Sequence, residues 1–306
     1  MNDFNYKLWK KSLKIIPGGN QFLSKRPELY LPKKWPTYYI KSKGCYIWDL
    51  NDRKFIDIYN MGVGTNILGY ANINVDREVK KIIDKGISSS LNCTEEYYLS
   101  KLLLKHHKWA GMVKLARTGA EANSIAVRAA RIYTKKNVIA ICGYHGWHDW
   151  YLSANLKTDQ LQDHLIKGLS SVGVPNELKG TTKSFLYNDI QGLKKILSKN
   201  NVAAIKMEVS RNFKPKNNFL KKVRNLCNKK NIVLIFDECS SGFRQTYGGL
   251  HKLYNVEPDI AWFGKALGNG YAITAIIGKK NIMESAQDTF MSSTFWTERS
   301  GPVAAV

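Results

Sequence analysis

Seven short apolar runs, separated by turn-length or helix-length spacers, constrain this chain more than any other feature. They are Met112–Arg117, Val138–Cys142, Ser184–Tyr187, Val202–Val209, Ile232–Cys239, Ile260–Phe263 and Ile273–Gly278. Most are nearly continuous in aliphatic residues rather than alternating with polar ones, the pattern of strands covered on both faces. Residues 120–134 (AEANSIAVRAARIYT), 189–199 and 218–229 carry helical spacing between them. Such strand–helix alternation predicts an α/β fold: a mostly parallel sheet covered by helices on both faces. Residues 151–180 break the rhythm, being long, polar and irregular. They read either as a mobile gate over a site or as a plain surface insertion.

Upstream, Phe4, Leu8 and Leu13 give residues 3–14 helical spacing until Pro17-Gly18-Gly19 stops them. Tyr46–Leu50 and Lys54–Tyr59 alternate around Asn51-Asp52-Arg53 and predict a β-hairpin. Residues 61–70 are Gly-rich and loop-like, and 75–87 and 95–107 read as helices. The expected organisation is a small N-terminal segment over 1–70, a large domain over 71–290, and the start of a C-terminal region over 291–306. The last residues, Gly301-Pro302-Val303-Ala304-Ala305-Val306, read as a helix just beginning, with Pro302 in its first turn.

The 306 residues are 44% hydrophobic and 23% charged, enough apolar material for a core without disulfides or metal. No run approaches the ~18 apolar residues a membrane span needs, and the N-terminal stretch lacks a continuous apolar segment of signal-peptide type. The five cysteines, Cys45, Cys93, Cys142, Cys227 and Cys239, are odd in number and contain no C-x-x-C pair. They read as free thiols of a cytoplasmic protein. Cys142, His145 and His148 have a spacing that suits zinc, but no fourth ligand lies nearby, so no metal is expected. With 47 Lys+Arg against 24 Asp+Glu the net charge is +23, which raises nucleic acid as a partner. The basic residues are scattered as short pairs rather than gathered in one stripe, so the reading preferred is a lysine-rich surface that favours anionic ligands generally.

Ligands of open parallel sheets bind beyond the carboxyl ends of the strands, so the residues that follow each run carry the chemistry. Thr118-Gly119-Ala120 opens a helix with small residues, which either caps it or lets backbone N–H groups cradle a phosphate. Gly143-Tyr144-His145-Gly146-Trp147 sets an aromatic ring among glycines, either a packed corner or a plate for a planar ligand. Asp237 ends a fully apolar run and needs a cation, either Arg244 in the next turn or a protonated ring nitrogen. Lys265 follows Ala261-Trp262-Phe263 and precedes a Gly-rich turn, where desolvation suits an imine-forming amine. A phosphate cup, a stacking ring, an acid for a ring nitrogen and an imine-forming lysine are together what pyridoxal 5′-phosphate requires.

The same stretches carry a resemblance. Ile16–Asn20 (IPGGN), Arg117–Asn123 (RTGAEAN), Cys142–Gly146 (CGYHG), Ile235–Arg244 (IFDECSSGFR), Phe263–Ala272 (FGKALGNGYA) and Ser293–Phe295 (STF) occur in the order seen in class III aminotransferases. The chain resembles that family, of the aspartate-aminotransferase-like fold, and within it the glutamate-1-semialdehyde aminomutase branch. The resemblance implies that Lys265 forms the imine with the cofactor, Asp237 pairs with the pyridinium nitrogen, and Gly119 and Ala120 cradle the phosphate. It implies that Tyr144 stacks on the ring, Glu208 lies beside it, and Thr294 reaches the phosphate of a neighbouring subunit in a homodimer with shared sites. Arg26 is a loose counterpart of the arginine that holds the substrate carboxylate. Val209 after Glu208, Cys239 after Glu238, and Trp296–Pro302 depart from the aminomutase pattern. Family members continue into a C-terminal lobe of roughly 100 residues, so the resemblance also implies an incomplete chain.

The function expected is amino transfer between an amino donor and a carbonyl acceptor, with Lys265 as the attachment point. The alternative is the aminomutase, which returns the amino group to the same molecule. A remoter one is a basic nucleic-acid-binding protein on an inactive enzyme fold.

Overall fold

Strand and helix formation in this chain follows from which faces its apolar residues share. The computed structural model describes residues 3–59, 61–156, 161, 169–210 and 212–306. Contacts divide the chain into two units, Met1–Arg77 and Glu78–Val306.

In the first unit, the helix Phe4–Ile15 starts at Asp3, whose side chain accepts hydrogen bonds from the backbone N–H of Asn5 and Tyr6. Ile16 is extended, and Pro17-Gly18 follows with Gly18 at φ 68°, so the expected stop is where the helix ends. Strands β1 (Tyr39–Lys43), β2 (Tyr46–Asp49) and β3 (Lys54–Ile56) form an antiparallel meander in the order β1-β2-β3. β2 and β3 are the expected hairpin; β1 was not expected. Four of its five residues are exposed, so it pairs through backbone and shows no burial pattern. Asp49 knits the hairpin, accepting from the backbone N–H of Asn51 and Arg53 and from Arg53 Nε at 2.8 Å. Residues 61–64 form a short helical turn with Gly62 and Val63 at positive φ, rather than open loop.

In the second unit, β4 (Met112–Ala116), β5 (Val138–Cys142), β6 (Thr182–Ser184), β7 (Val202–Glu208), β8 (Val233–Asp237), β9 (Ile260–Phe263) and β10 (Thr274–Gly278) form one sheet. Its order is β4-β10-β9-β8-β7-β5-β6. β5 to β9 pair in parallel with their neighbours in that order, while β10 runs antiparallel to both β9 and β4. β4 therefore points the same way as β9, and the sheet is mostly parallel, as expected.

Two apolar layers sandwich it. On one face, Leu193, Leu197, Phe219 and Val223 pack with Ile205, Met207 and Phe236. On the other, Ile125, Ala126 and Ala129 of the helix Gly119–Thr134 pack with Ile141, Ile235, Trp262 and Ile276. The helices Ile190–Lys199 and Phe219–Lys230 lie within a residue or two of the expected 189–199 and 218–229.

Some boundaries moved. The strand expected at Ser184–Tyr187 is Thr182–Ser184. It is an edge strand, and Phe185 turns into the core instead of continuing it. The helices expected at 75–87 and 95–107 are Ile73–Ile83 and Thr94–His106. The helix expected after Gly301 is Ser300–Ala305. Among the described residues, no helix is long and apolar enough to cross a membrane. Within 151–180, residues 157–160 and 162–168 lie outside the described residues, and with them the middle of the expected gate.

Candidate active site

The carboxyl ends of β4, β5, β7, β8 and β9 deliver Thr118, Gly143, Glu208, Asp237 and Gly264-Lys265. Registry places Asp237 beside Glu208 on one side and Trp262 on the other. All expected contributors except Thr294 and Arg26 thus sit at one edge of one sheet.

Asp237 is 4% exposed and is held from several directions. Its Oδ2 accepts from His145 Nδ1 at 2.8 Å and from Lys206 Nζ at 3.4 Å, and its Oδ1 accepts from the backbone N–H of Cys239 at 3.2 Å. Burial pushes this carboxyl up, but Lys206, His145 and the Cys239 N–H outweigh it and hold it below the usual carboxylate range. The cation beside it is Lys206, not the Arg244 considered from sequence. An ionised carboxylate is only an acceptor, so His145 carries its proton on Nδ1.

Lys265 is half-buried and has φ 43°, a left-handed conformation that costs a non-glycine residue roughly 1–2 kcal/mol. The turn redirects the chain from β9 and leaves Nζ 2.6 Å from Ser240 Oγ. Ser240 lies three residues past Asp237, so the amine of one strand end is tethered to the turn of the next. Cys239 directly precedes Ser240 in that turn. Burial first, then the Asp237 charge, push its thiol up to about 12, with Lys265 opposing.

At the end of β4, Thr118 caps the helix reciprocally. Its Oγ1 accepts from the Glu121 N–H at 3.3 Å, and Glu121 Oε2 accepts from the Thr118 N–H at 2.7 Å. The cap and the phosphate cup are compatible, because Gly119 and Ala120 supply the first N–H groups of the helix, which lack intrahelical partners. A Cβ on Gly119 would lie 2.9 Å from the Trp262 ring, so the backbone passes close to the sheet only as glycine.

After β5, Gly143 has φ 117°, and a Cβ there would lie 2.7 Å from Glu208 Oε2. Tyr144 N–H donates to the same oxygen at 3.4 Å. The Tyr144 ring meets Tyr151 edge-on, with centroids 6.0 Å apart. His148, weighed with His145 as a metal ligand, instead contacts Ser124 Oγ through Nδ1.

Thr294 is exposed and opens the short turn Thr294–Thr297. That turn is clamped by Arg117, whose guanidinium donates to the carbonyls of Phe295, Trp296 and Glu298, and to Ala272 O at 3.1 Å. Trp296 Nε1 also donates to Glu121 Oε1 at 3.0 Å. Arg26 belongs to the first unit, where its guanidinium lies against Gly18.

Sequence reasoning missed Lys206, His145 as the partner of Asp237, Ser240 and the clamp formed by Arg117. A lysine inside Val-Ala-Ala-Ile-Lys-Met-Glu was a usable signal, since a charge in an apolar central strand must find a buried counter-charge. The others depend on contacts between distant segments.

A model of the family described as "Aminotransferase class-III" matches residues 32–306. The 3-aminobutyryl-CoA aminotransferase of Cloacimonas acidaminovorans is 36% identical over 98% of this chain and 70% of its own length. The glutamate-1-semialdehyde 2,1-aminomutase of Wigglesworthia glossinidia brevipalpis is 38% identical over 92% of this chain and 66% of its own length. Among solved structures, the PLP internal aldimine form of the Sphingopyxis sp. MTA144 FumI protein superposes with a TM-score of 0.86 at 23% identity, covering 98% of this chain and 70% of that one. An omega-transaminase from Sphaerobacter thermophilus gives 0.84 at 22% identity, covering 99% of this chain and 72% of that one. The chain therefore spans about two thirds to seven tenths of the proteins it resembles.

Proposed function

Because the chain belongs to the class-III aminotransferases, we propose that it transfers an amino group between an amino donor and a carbonyl acceptor, with Lys265 as the group that attaches the family's cofactor, pyridoxal 5′-phosphate. The observation that carries this is the tether between Lys265 Nζ and Ser240 Oγ, which holds the amine over the turn that begins at Asp237.

The residues present fit that cofactor. Asp237 is an ionised, buried carboxylate suited to a protonated ring nitrogen. The helix start at Gly119 offers N–H groups to a phosphate and has no room for a side chain. Bound there, pyridoxal 5′-phosphate supplies an aldehyde that condenses with amines and a ring that takes up the electron pair left when the neighbouring carbon loses its proton.

The chain's own residues do the rest. Lys265 would hold the cofactor through Nζ and would be the amine that moves the substrate's proton. Asp237 keeps a proton on the ring nitrogen. Gly119 and Ala120 fix the phosphate end, Tyr144 covers the ring, and Glu208 supports the Gly143–Tyr144 turn. Thr294 completes the phosphate site of a second subunit. The unpaired cysteines support a cytoplasmic setting.

An aminomutase reading is favoured by relatives of that name at 31–38% identity. A half-reaction screen against amino acids and amino sugars tests both. Loss of the lysine–cofactor absorption band with a separate donor supports transfer, whereas turnover without donor or acceptor supports the mutase. No band after incubation with cofactor overturns both.

A further inference from the structure

The charge of Asp237 is already taken up by a buried lysine. The side chain of Lys206 is completely buried, and its Nζ lies 3.4 Å from Asp237 Oδ2. Strand β7 alternates, so that Ile205 and Met207 enter one apolar layer and Lys206 and Glu208 face the other. In that layer Lys206 lies over the Trp262 ring, 5.7 Å from its centroid. Burying an ammonium costs several kcal/mol unless a counter-charge repays it. Burial pulls the pKa of the Lys206 amine down, and Asp237, then Glu208 and Cys239, oppose that pull; the carboxylate within contact is Asp237. Oδ2 is already engaged by Lys206 and His145, whereas among the described residues Oδ1 accepts only the Cys239 N–H and has a lone pair to offer.

We propose that Lys206 is a built-in counter-ion: it occupies the charge of Asp237 when no cofactor is bound, and it shares that charge with the ring nitrogen when one is. This rests on the cofactor reading above. Lys206 touches neither substrate nor cofactor in this scheme and acts as a positioning residue through Asp237. Two consequences follow from the same electrostatics. Asp237 stays ionised and preorganised before cofactor binds, and its contact with the ring nitrogen is weaker than an unshared carboxylate would make it.

The test compares apoprotein binding of pyridoxal 5′-phosphate with that of its analogue bearing carbon in place of the ring nitrogen, in wild type and Lys206→Met. Methionine keeps most of the length of the side chain and removes its charge. The preference for the nitrogen-containing ligand should rise in the variant by on the order of tenfold. A role in packing alone would change both affinities together and leave the ratio unmoved, which would overturn the proposal. Failure of the wild type to bind either ligand would overturn the cofactor reading and the proposal with it. Should the Lys206→Met apoprotein not fold, the double variant Lys206→Met/Asp237→Asn, which removes both charges, must recover a folded apoprotein. If that one also stays unfolded, Lys206 is a packing residue and the proposal falls.

Discussion

Lys265 Nζ donates a hydrogen bond to Ser240 Oγ across 2.6 Å, tying the end of β9 to the turn after β8. The bond orients an amine on a residue that the backbone already holds in a left-handed conformation. Ser240→Ala should leave Lys265 as the residue modified by borohydride with cofactor present. Turnover should slow by about tenfold, the scale of one hydrogen bond to a charged group. Peptide mapping and half-reaction rates check this, and a modification that moves to another lysine would refute the assignment of Lys265.

Replacing Asp237 with Asn removes the counter-charge of a fully buried lysine. The variant should lose about 3–5 kcal/mol of unfolding free energy, as when one partner of a buried pair is deleted, and most of its activity. The wild-type carboxyl titrates below its unfolded value. Its contribution is therefore complete above an unfolded pKa of about 3.9 and is lost as pH falls through the lower folded value. Denaturant titrations should show a shallower acid limb for Asp237→Asn, and an unchanged limb would contradict the pairing.

His107 packs against Trp109, His251 and Phe263, 1% exposed, with its Nδ1 bonded to Leu103 O at 2.9 Å. Burial lowers its pKa from 6.5 to about 4. The unfolded chain binds the proton first, so stability is full above pH 6.5 and falls as pH drops toward 4, by about 3 kcal/mol. In His107→Asn, whose amide can still donate to Leu103 O, that decline should be largely absent. Equal pH slopes for the two proteins would show that other groups cause it.

Arg117 holds the turn bearing Thr294 through several carbonyls. Arg117→Met should accelerate amide hydrogen exchange across residues 294–299 by at least about tenfold, with little change in β7 or β8. Unchanged exchange there would mean that Trp296 and its bond to Glu121 carry the turn alone.

Thr294 is exposed, and under the proposed shared site it reaches the phosphate of a second subunit. Mixing Lys265→Ala with Thr294→Ala chains should restore activity above that of either alone, because a hybrid pair contains one intact site. No recovery after subunit exchange, verified by differently tagged chains, would argue for a site within one chain.

How far the sequence could be read varied with how local the cause was. Continuous apolar runs marked β5, β7, β8 and β9 to within a residue or two, because strands buried on both faces leave no polar positions to blur their ends. The exposed edge strand β1 left no such trace. The antiparallel insertion of β10 between β9 and β4 is equally invisible from sequence, since its Thr-Ala-Ile-Ile-Gly would suit either direction. Lys265 and Asp237 could be located because each ends an apolar run, where a charge is conspicuous. Ser240, one serine among many, could not.

What the sequence by itself determined is therefore the layer architecture and the types of residue that strand ends deliver, both consequences of local periodicity and of charges placed against apolar runs. Which charges meet was decided by the tertiary structure. Asp237 could have taken Arg244, seven residues away, yet the parallel pairing of β7 with β8 and the turn after β5 bring Lys206 and His145 to it instead. Pairing energy depends steeply on distance and burial, and both are set only when strands far apart in the chain come into register.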